Sequence, residues 1–316
     1  MERDETLFRF GVVADVQYAD LEVGTNFAGT VHRYYRHALI ALAAAVKSWR
    51  DHDVAFVAQL GDLIDGQNAS TGATDEAMAS IHATLAPLGP TVPIYNCIGN
   101  HEVVNWRRDG SLLGALGSGA RSYRAWSPHL RWRFIMLDPF FISTLGWPDG
   151  HPNAAAAWKL LDAHNPTDCR RRGVDLSTGL RGLERRWMPY NGAHGTEQLA
   201  WLEAELRGAV AEEQKVVILT HVAVAPGACG DDCLAWDFDL VLELLHGAGA
   251  GAVVAVLSGH DHAGGYVRDG AGVHHVTFCA PLETAPPDAC HAIVAVHESA
   301  LVVEGFGRQP SFTLEF

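Results

Sequence analysis

His260 and His262 stand two residues apart in GHDHAGG, residues 259–265, with glycines on both sides. Side chains alternate along an extended chain, so the two imidazoles leave it in the same direction. Glycine permits a sharp turn and a close approach by other groups. Imidazoles offered together suit a divalent cation; taken alone, the pair reads rather as a polar turn after a strand. Four more polar sets also follow apolar runs. They are Asp15 and Gln17 after FGVVA, Asp62 and Asp65 in QLGDLIDG, Asn100, His101 and Glu102 in NCIGNHE, and His221 after VVILT. The donors are mixed oxygen and nitrogen. Such a set suits two hard or borderline divalent ions better than a thiolate zinc site. Two ions about 3.5–4 Å apart can share a carboxylate and activate water for attack on phosphorus.

The elements that must position these groups alternate between strand and helix. LFRFGVVAD reads as a strand, and helical spacing of Tyr34, Leu39, Leu42 and Val46 predicts a helix from about Thr30 to Arg50. VAFVAQL, TVPIYNCI, RWRFIMLD, KVVILTH and AVVAVLSGH read as further strands. Helices are expected over 74–86, over TEQLAWLEAELRGAVAEE with Thr196 as N-cap, and over about 237–247. HAIVAVHESALVVEGF reads as a C-terminal β-hairpin. Residues 139–195, rich in Trp, Pro, Gly and Arg, show no clear period and read as an elaborated insertion in a single domain spanning 1–316. Strand, polar loop and helix in repetition imply an α/β fold whose strand ends in a sheet converge on one edge.

Composition narrows the function. The 316 residues are 48% hydrophobic, enough for a large core, and the net charge is −14. That charge argues against a nucleic-acid partner, which calls for a basic field. It also disfavours a phosphate substrate unless bound cations reverse the field locally. MERDETLFRF places charges where a signal peptide needs an apolar core, and no apolar run approaches the roughly 20 residues of a membrane span. The six cysteines are scattered, with Cys229 and Cys233 the close pair. A soluble, cytoplasmic protein with reduced thiols is the expectation, a Cys229–Cys233 bond being the open alternative.

The series D-x-(H/Q), GD-x-x-D, GNHE, H and GHxH resembles the signature of calcineurin-like metallophosphoesterases, and the likeness runs from about residue 8 to 305. It implies an α/β fold, a two-sheet αββα sandwich with a dinuclear metal site at strand C-terminal ends. By motif, Asp15, Gln17, Asp62 and His262 would hold one metal. Asn100, His221 and His260 would hold the other, with Asp62 bridging. Asp62 and His101 would be the catalytic pair, His101 assisting the leaving oxygen, and Asp65 and Glu102 would brace them. Most of the family has histidine where this chain has Gln17. An amide oxygen favours Mn²⁺ or Mg²⁺ over Zn²⁺, unless Gln17 only supports a ligand from behind.

FGVVADVQYAD, RYYR at 33–36, QLGDLIDG, NG-x-x-G-x-x-QL-x-WL at 191–202, CLAWDFDLVLELL and GHDHAGGY are most similar to the manganese-dependent ADP-ribose/CDP-alcohol diphosphatases. That subgroup implies two divalent cations, Mn²⁺ foremost with Mg²⁺, Fe and Zn²⁺ as alternatives. It implies hydrolysis of a nucleoside diphosphate-linked small molecule to a nucleoside monophosphate and a phosphorylated alcohol or sugar. A cyclic-nucleotide phosphodiesterase or phosphomonoesterase on the same centre is the alternative. The expected substrate contacts are Phe27 stacking on a base, Arg33 and Arg36 on phosphate, Asn105 and Trp106 beside the GNHE turn, and His194, which either stacks on a base or is a solvated loop residue. A monomer without nucleic-acid or membrane partners is expected.

Overall fold

The central strands carry apolar residues on both faces because each faces a core on both sides. Phe10, Val12 and Ala14 point into one cluster and Val13 into another. Phe56 and Ala58 oppose Val57 in the same way, as Phe134 and Met136 oppose Ile135, and Val217 and Leu219 oppose Ile218. This is the period-2 alternation of a strand with apolar residues on both faces, the pattern of a sheet covered on both sides. The computed structural model describes residues 5–26, 28–117, 119 and 121–316.

Two six-stranded sheets face each other. The first runs Phe312–Glu315, Ala300–Gly307, Cys290–Val296, Phe8–Val13, Phe56–Gln59, Ile94–Asn96. Its last three strands are parallel and the others antiparallel. The second runs Gly265–Arg268, His274–Thr277, Val253–Ser258, Lys215–Leu219, Trp132–Met136, Arg124–His129, with the four inner strands parallel. Between the sheets Phe10 stacks on Phe56 at 5.0 Å, and Phe134 meets both edge-on. Truncating one of these rings to Ala would cost about 3–5 kcal/mol. Helices Tyr35–Asp51 and Thr74–Leu85 and helices Gly195–Ala211 and Phe238–His246 supply the second core through Leu42, Trp49, Ile81, Leu202, Leu206 and Val241. Among the described residues no helix is long and apolar enough to cross a membrane, and no disulfide joins the six cysteines.

Four details differ from the sequence reading. The polar strand ends divide between two sheets rather than lining one. Asp15, Asp62 and Asn100 follow strands of the first, and His221, His260 and His262 follow strands of the second. The first long helix starts at Tyr35, not near Thr30, because the Asn26 side chain accepts from Thr30 N and Val31 N and a two-residue ribbon, Gly24–Thr25 with His32–Arg33, intervenes. Residues 139–195 contain a helix, Pro152–His164, with Pro at its start and the His151 ring accepting from Asn153 N. Its AAAA run gives no hydrophobic contrast for periodicity to report. Finally, Thr196 does not cap the next helix. Asp237 does so from 43 residues away, taking His194 N at 2.8 Å and Gly195 N at 3.2 Å.

Candidate metal centre

The loops that leave the two sheets are strained where the chemistry lies. Among the described residues six non-glycine residues have positive φ, and four of them are Asp15 (52°), Gln17 (44°), Asp62 (60°) and His260 (71°). Each such conformation costs roughly 1 kcal/mol or more and persists where surrounding structure enforces it. The enforcement is visible. Asp15 N, Gln17 N and Tyr18 N donate to Gly61 O, Asp62 O and Leu63 O, locking the first two loops together. The fully buried Glu102 carboxylate then accepts Asp62 N and Leu63 N at 2.7 Å and Gly99 N at 2.8 Å. A Cβ on Gly99 would sit 2.0 Å from Asp62 Oδ1, and one on Gly259 2.5 Å from Asp15 Oδ2, so neither position accepts a side chain.

These loops bring all seven expected metal ligands to one edge. Asp62 Oδ2 is the point of convergence, with Gln17 Nε2 at 3.0 Å and His221 Nε2 at 3.4 Å. His221 Nε2 lies 3.2 Å from both Asn100 Oδ1 and His260 Nδ1. His262 Nε2 lies 3.0 Å from Gln17 Nε2 and 3.5 Å from Asp15 Oδ1. Asp15, Asp62 and His221 offer ligand atoms all within 4.8 Å of one another.

The donor set fits a divalent cation pair. Asp15 Oδ1 and Gln17 Oε1 are buried and accept no hydrogen bond from the protein, a cost that a cation there would remove. Each imidazole is also fixed with one nitrogen facing inward. His221 Nδ1 donates to Leu60 O at 2.7 Å, His260 Nε2 to Asn191 Oδ1 at 2.8 Å, and His262 Nδ1 to Glu283 Oε1 at 2.8 Å.

Charge follows the same geometry. Burial would raise the Asp62 carboxyl, but the His221 and His101 charges hold it well below the carboxylate range. Burial pulls His221 and His262 down. Asp62 and Asp15 outweigh it at His221, and Asp15 and Glu283 outweigh it at His262, so both stand at about 9. His260 is pushed the other way, by burial and then by the His221 charge. Burial, then Asp62, raises Glu102 to about 8.

The expected catalytic His101 is the second residue of the short helix Asn100–Asn105, which follows Gly99. Its backbone N donates to Asp62 Oδ1 at 2.9 Å, its Nδ1 accepts from Gly66 N at 2.6 Å, and its Nε2 lies 3.8 Å from Asp62 Oδ2. Asp65 Oδ2 is 3.5 Å from Nδ1, and the ring keeps 20% of its surface exposed.

The expected substrate contacts scatter. Arg33 lies against Glu283, 3.6 Å from Oε1. The exposed Arg36 guanidinium is taken up by Asp20 and Glu22. Asn105 spends its amide on the Asp65 and His101 carbonyls and on the Thr74 hydroxyl, so it braces the GNHE turn. Trp106 packs partly buried on the helical core. His194 is neither a stacking platform nor a solvated loop residue. It is fully buried, with Nδ1 2.9 Å from Asp237 Oδ1, and has no face open to a base. Phe27 lies outside the described residues.

Two contributors escaped the sequence reading. Asn191, buried, takes its orientation from donating to Arg186 O and Asp232 O. It stood in plain view in the NG dipeptide, without a signal for its role. Glu283 follows no recognisable motif.

A sequence model described as calcineurin-like phosphoesterase matches residues 8–264. The manganese-dependent ADP-ribose/CDP-alcohol diphosphatase of Arabidopsis thaliana is 37% identical over 317 residues, covering 98% of each chain. The protein of the same name from Homo sapiens is 33% identical over 100% of this chain and 94% of its own. The crystal structure of a dimetal phosphatase from Danio rerio superposes with a TM-score of 0.92 at 34% identity, over 99% of this chain and 100% of that one. Facing sheets, a mixed oxygen and nitrogen cluster at their shared edge and this extent of likeness lead to one conclusion: the chain belongs to the calcineurin-like phosphoesterase family.

Proposed function

We propose that the protein hydrolyses the phosphoanhydride of nucleoside diphosphate-linked compounds, with ADP-ribose and CDP-alcohols as the substrate class and Mn²⁺ as the preferred cation. The observation that carries the reading is Gln17. Its amide sits in the cluster where most of the family has an imidazole, with Oε1 buried and unpaired, and near-full-length relatives bear that activity in their names.

In this reading Asp15, Gln17, Asp62 and His262 hold one cation, and Asn100, His221 and His260 the other, with Asp62 shared. A half-turn of the Gln17 amide presents its oxygen to the site. When bound, the cations neutralise phosphate charge and bring the pKa of water from about 15.7 toward 7.

The residues of the chain do the rest. Glu102 and the Gly61–Leu63 backbone hold Asp62 in its strained conformation. His101, whose ring keeps 20% of its surface exposed, turns Nε2 toward the reacting phosphate and donates a proton to the leaving oxygen. Asp65 accepts the Nδ1 hydrogen of the imidazolium once Gly66 N is displaced. Arg33 is retained as a substrate-side cation, while Arg36 and His194 are dropped because other groups occupy them. A cytoplasmic monomer without nucleic-acid partners agrees with six free thiols and a net charge of −14.

The test is hydrolysis of ADP-ribose by metal-stripped protein, with Mn²⁺ or Mg²⁺ restored and products separated by chromatography. AMP formed strongly with Mn²⁺ and weakly with Mg²⁺ is expected. Absence of AMP with either metal, while a simple aryl phosphate is cleaved, would replace this reading with a phosphomonoesterase.

A further inference from the structure

The three imidazoles of the centre are backed unequally. His221 leans on a backbone carbonyl and His260 on an amide oxygen, both neutral. His262 alone of the three leans on a carboxylate, Glu283, at 2.8 Å. That carboxylate has 8% of its side chain exposed, and a buried carboxylate needs counterions. Two guanidiniums supply them. Arg33 Nε lies 3.6 Å from the same oxygen that takes the His262 hydrogen, and Arg308 Nη1 lies 4.0 Å from Oε2 while donating to Glu283 O at 3.1 Å.

The backbone repeats the connection. Glu283 ends the turn Pro281–Glu283, in which Leu282 O accepts Tyr34 N at 2.7 Å and Leu282 N reaches Asp15 O at 3.5 Å. Ala280 N, one residue before the turn, donates to His262 O at 3.2 Å. The turn therefore touches the Asp15 loop, the His262 loop and the chain entering the first long helix at once.

We propose that Glu283 is a positioning residue that sets the cation affinity of the His262 side of the centre, with Arg33 and Arg308 as its anchors. A carboxylate on Nδ1 holds the hydrogen there, leaves the Nε2 lone pair free and raises ligand basicity. Arg33 then acts on the centre through Glu283 as well as facing substrate. The proposal rests on the dinuclear reading above.

The test is Mn²⁺ binding alone, by calorimetry on metal-stripped wild type, Glu283→Gln and Glu283→Ala, with the melting temperature of each metal-free protein measured alongside. Glu283→Gln keeps an oxygen acceptor of the same shape and discards the charge. The expected result is a dissociation constant raised about 10-fold or more in Glu283→Gln and further, toward about 100-fold, in Glu283→Ala, beyond what any fall in metal-free melting accounts for. Binding as tight as wild type in both variants overturns the inference and leaves the functional reading intact. Weakened binding matched by a fall in metal-free melting overturns it too, assigning Glu283 to stability. Wild-type protein that takes up no Mn²⁺ overturns both.

Discussion

Histidines at the loop edge and histidines inside the C-terminal strands share burial and differ in everything that makes a ligand. His274, His275 and His291 are 2–3% exposed, and burial lowers all three, His291 to about 4. His221 is just as buried yet stands at about 9, because carboxylates lie on its inward side. Near the second sheet His246 and His275 even share the Asp269 carboxylate, at 2.7 and 2.9 Å. Yet Asp269 Oδ1 also accepts Ala271 N and Val273 N, so both of its oxygens have partners in the protein. At the loop edge Asp15 Oδ1 and Gln17 Oε1 have none. Residue type and proximity are thus common to both regions. Unpaired buried oxygens and left-handed backbone distinguish the centre.

Substitutions can break that comparison. The largest effect is expected for Asp62→Ala, which should remove bound metal and turnover together; dinuclear metal retained by elemental analysis would contradict convergence on Asp62. Next, His101→Ala should lower kcat about 10²-fold with metal content near wild type. Turnover close to wild type would leave His101 without a proton to give.

His291 sharpens the other side. Its ring stacks on Phe306 at 4.6 Å and neither nitrogen has a hydrogen-bond partner. Its value falls from 6.5 unfolded to about 4 folded, so the fold favours the neutral ring. That stability is whole above about pH 6.5, declines as pH falls, and is spent below about 4, amounting to about 3 kcal/mol at most. His291→Phe should flatten this acid slope in urea unfolding between pH 7 and 4; an unchanged slope would locate it elsewhere. The smallest effect belongs to Asp269→Asn, which should leave Mn²⁺ binding untouched and cost about 1 kcal/mol in the same unfolding assay. A change in Mn²⁺ affinity would erase the distinction between the two clusters.

The inward-facing half of the centre was legible because each ligand follows an apolar strand, and a strand end is a local property. The outward-facing half was not. Asn191 reaches His260 across 69 residues and Glu283 reaches His262 across 21, through contacts that only the folded chain creates. His194 was misread for the same reason, since its partner Asp237 lies 43 residues on. Local signals also failed where contrast was missing, as in the alanine run of the Pro152–His164 helix. They failed again where a side chain competed with the helix, as Asn26 does before Tyr35.

The strands that carry the centre have apolar cores on both faces, and this has a consequence for how such a protein can diversify. A polar replacement on either face of Val12–Val13 or Ile218–Leu219 enters a core, so inheritable variation is steered out of the sheets and into the loops. Those loops are not equally free. Asn191 ties the end of the 139–195 segment to the centre through one hydrogen bond, while the exposed stretch at 170–173 makes no bond to any of the seven ligands. A lineage could lengthen, shorten or rewrite such a stretch to suit another leaving group while inheriting the same catalytic frame.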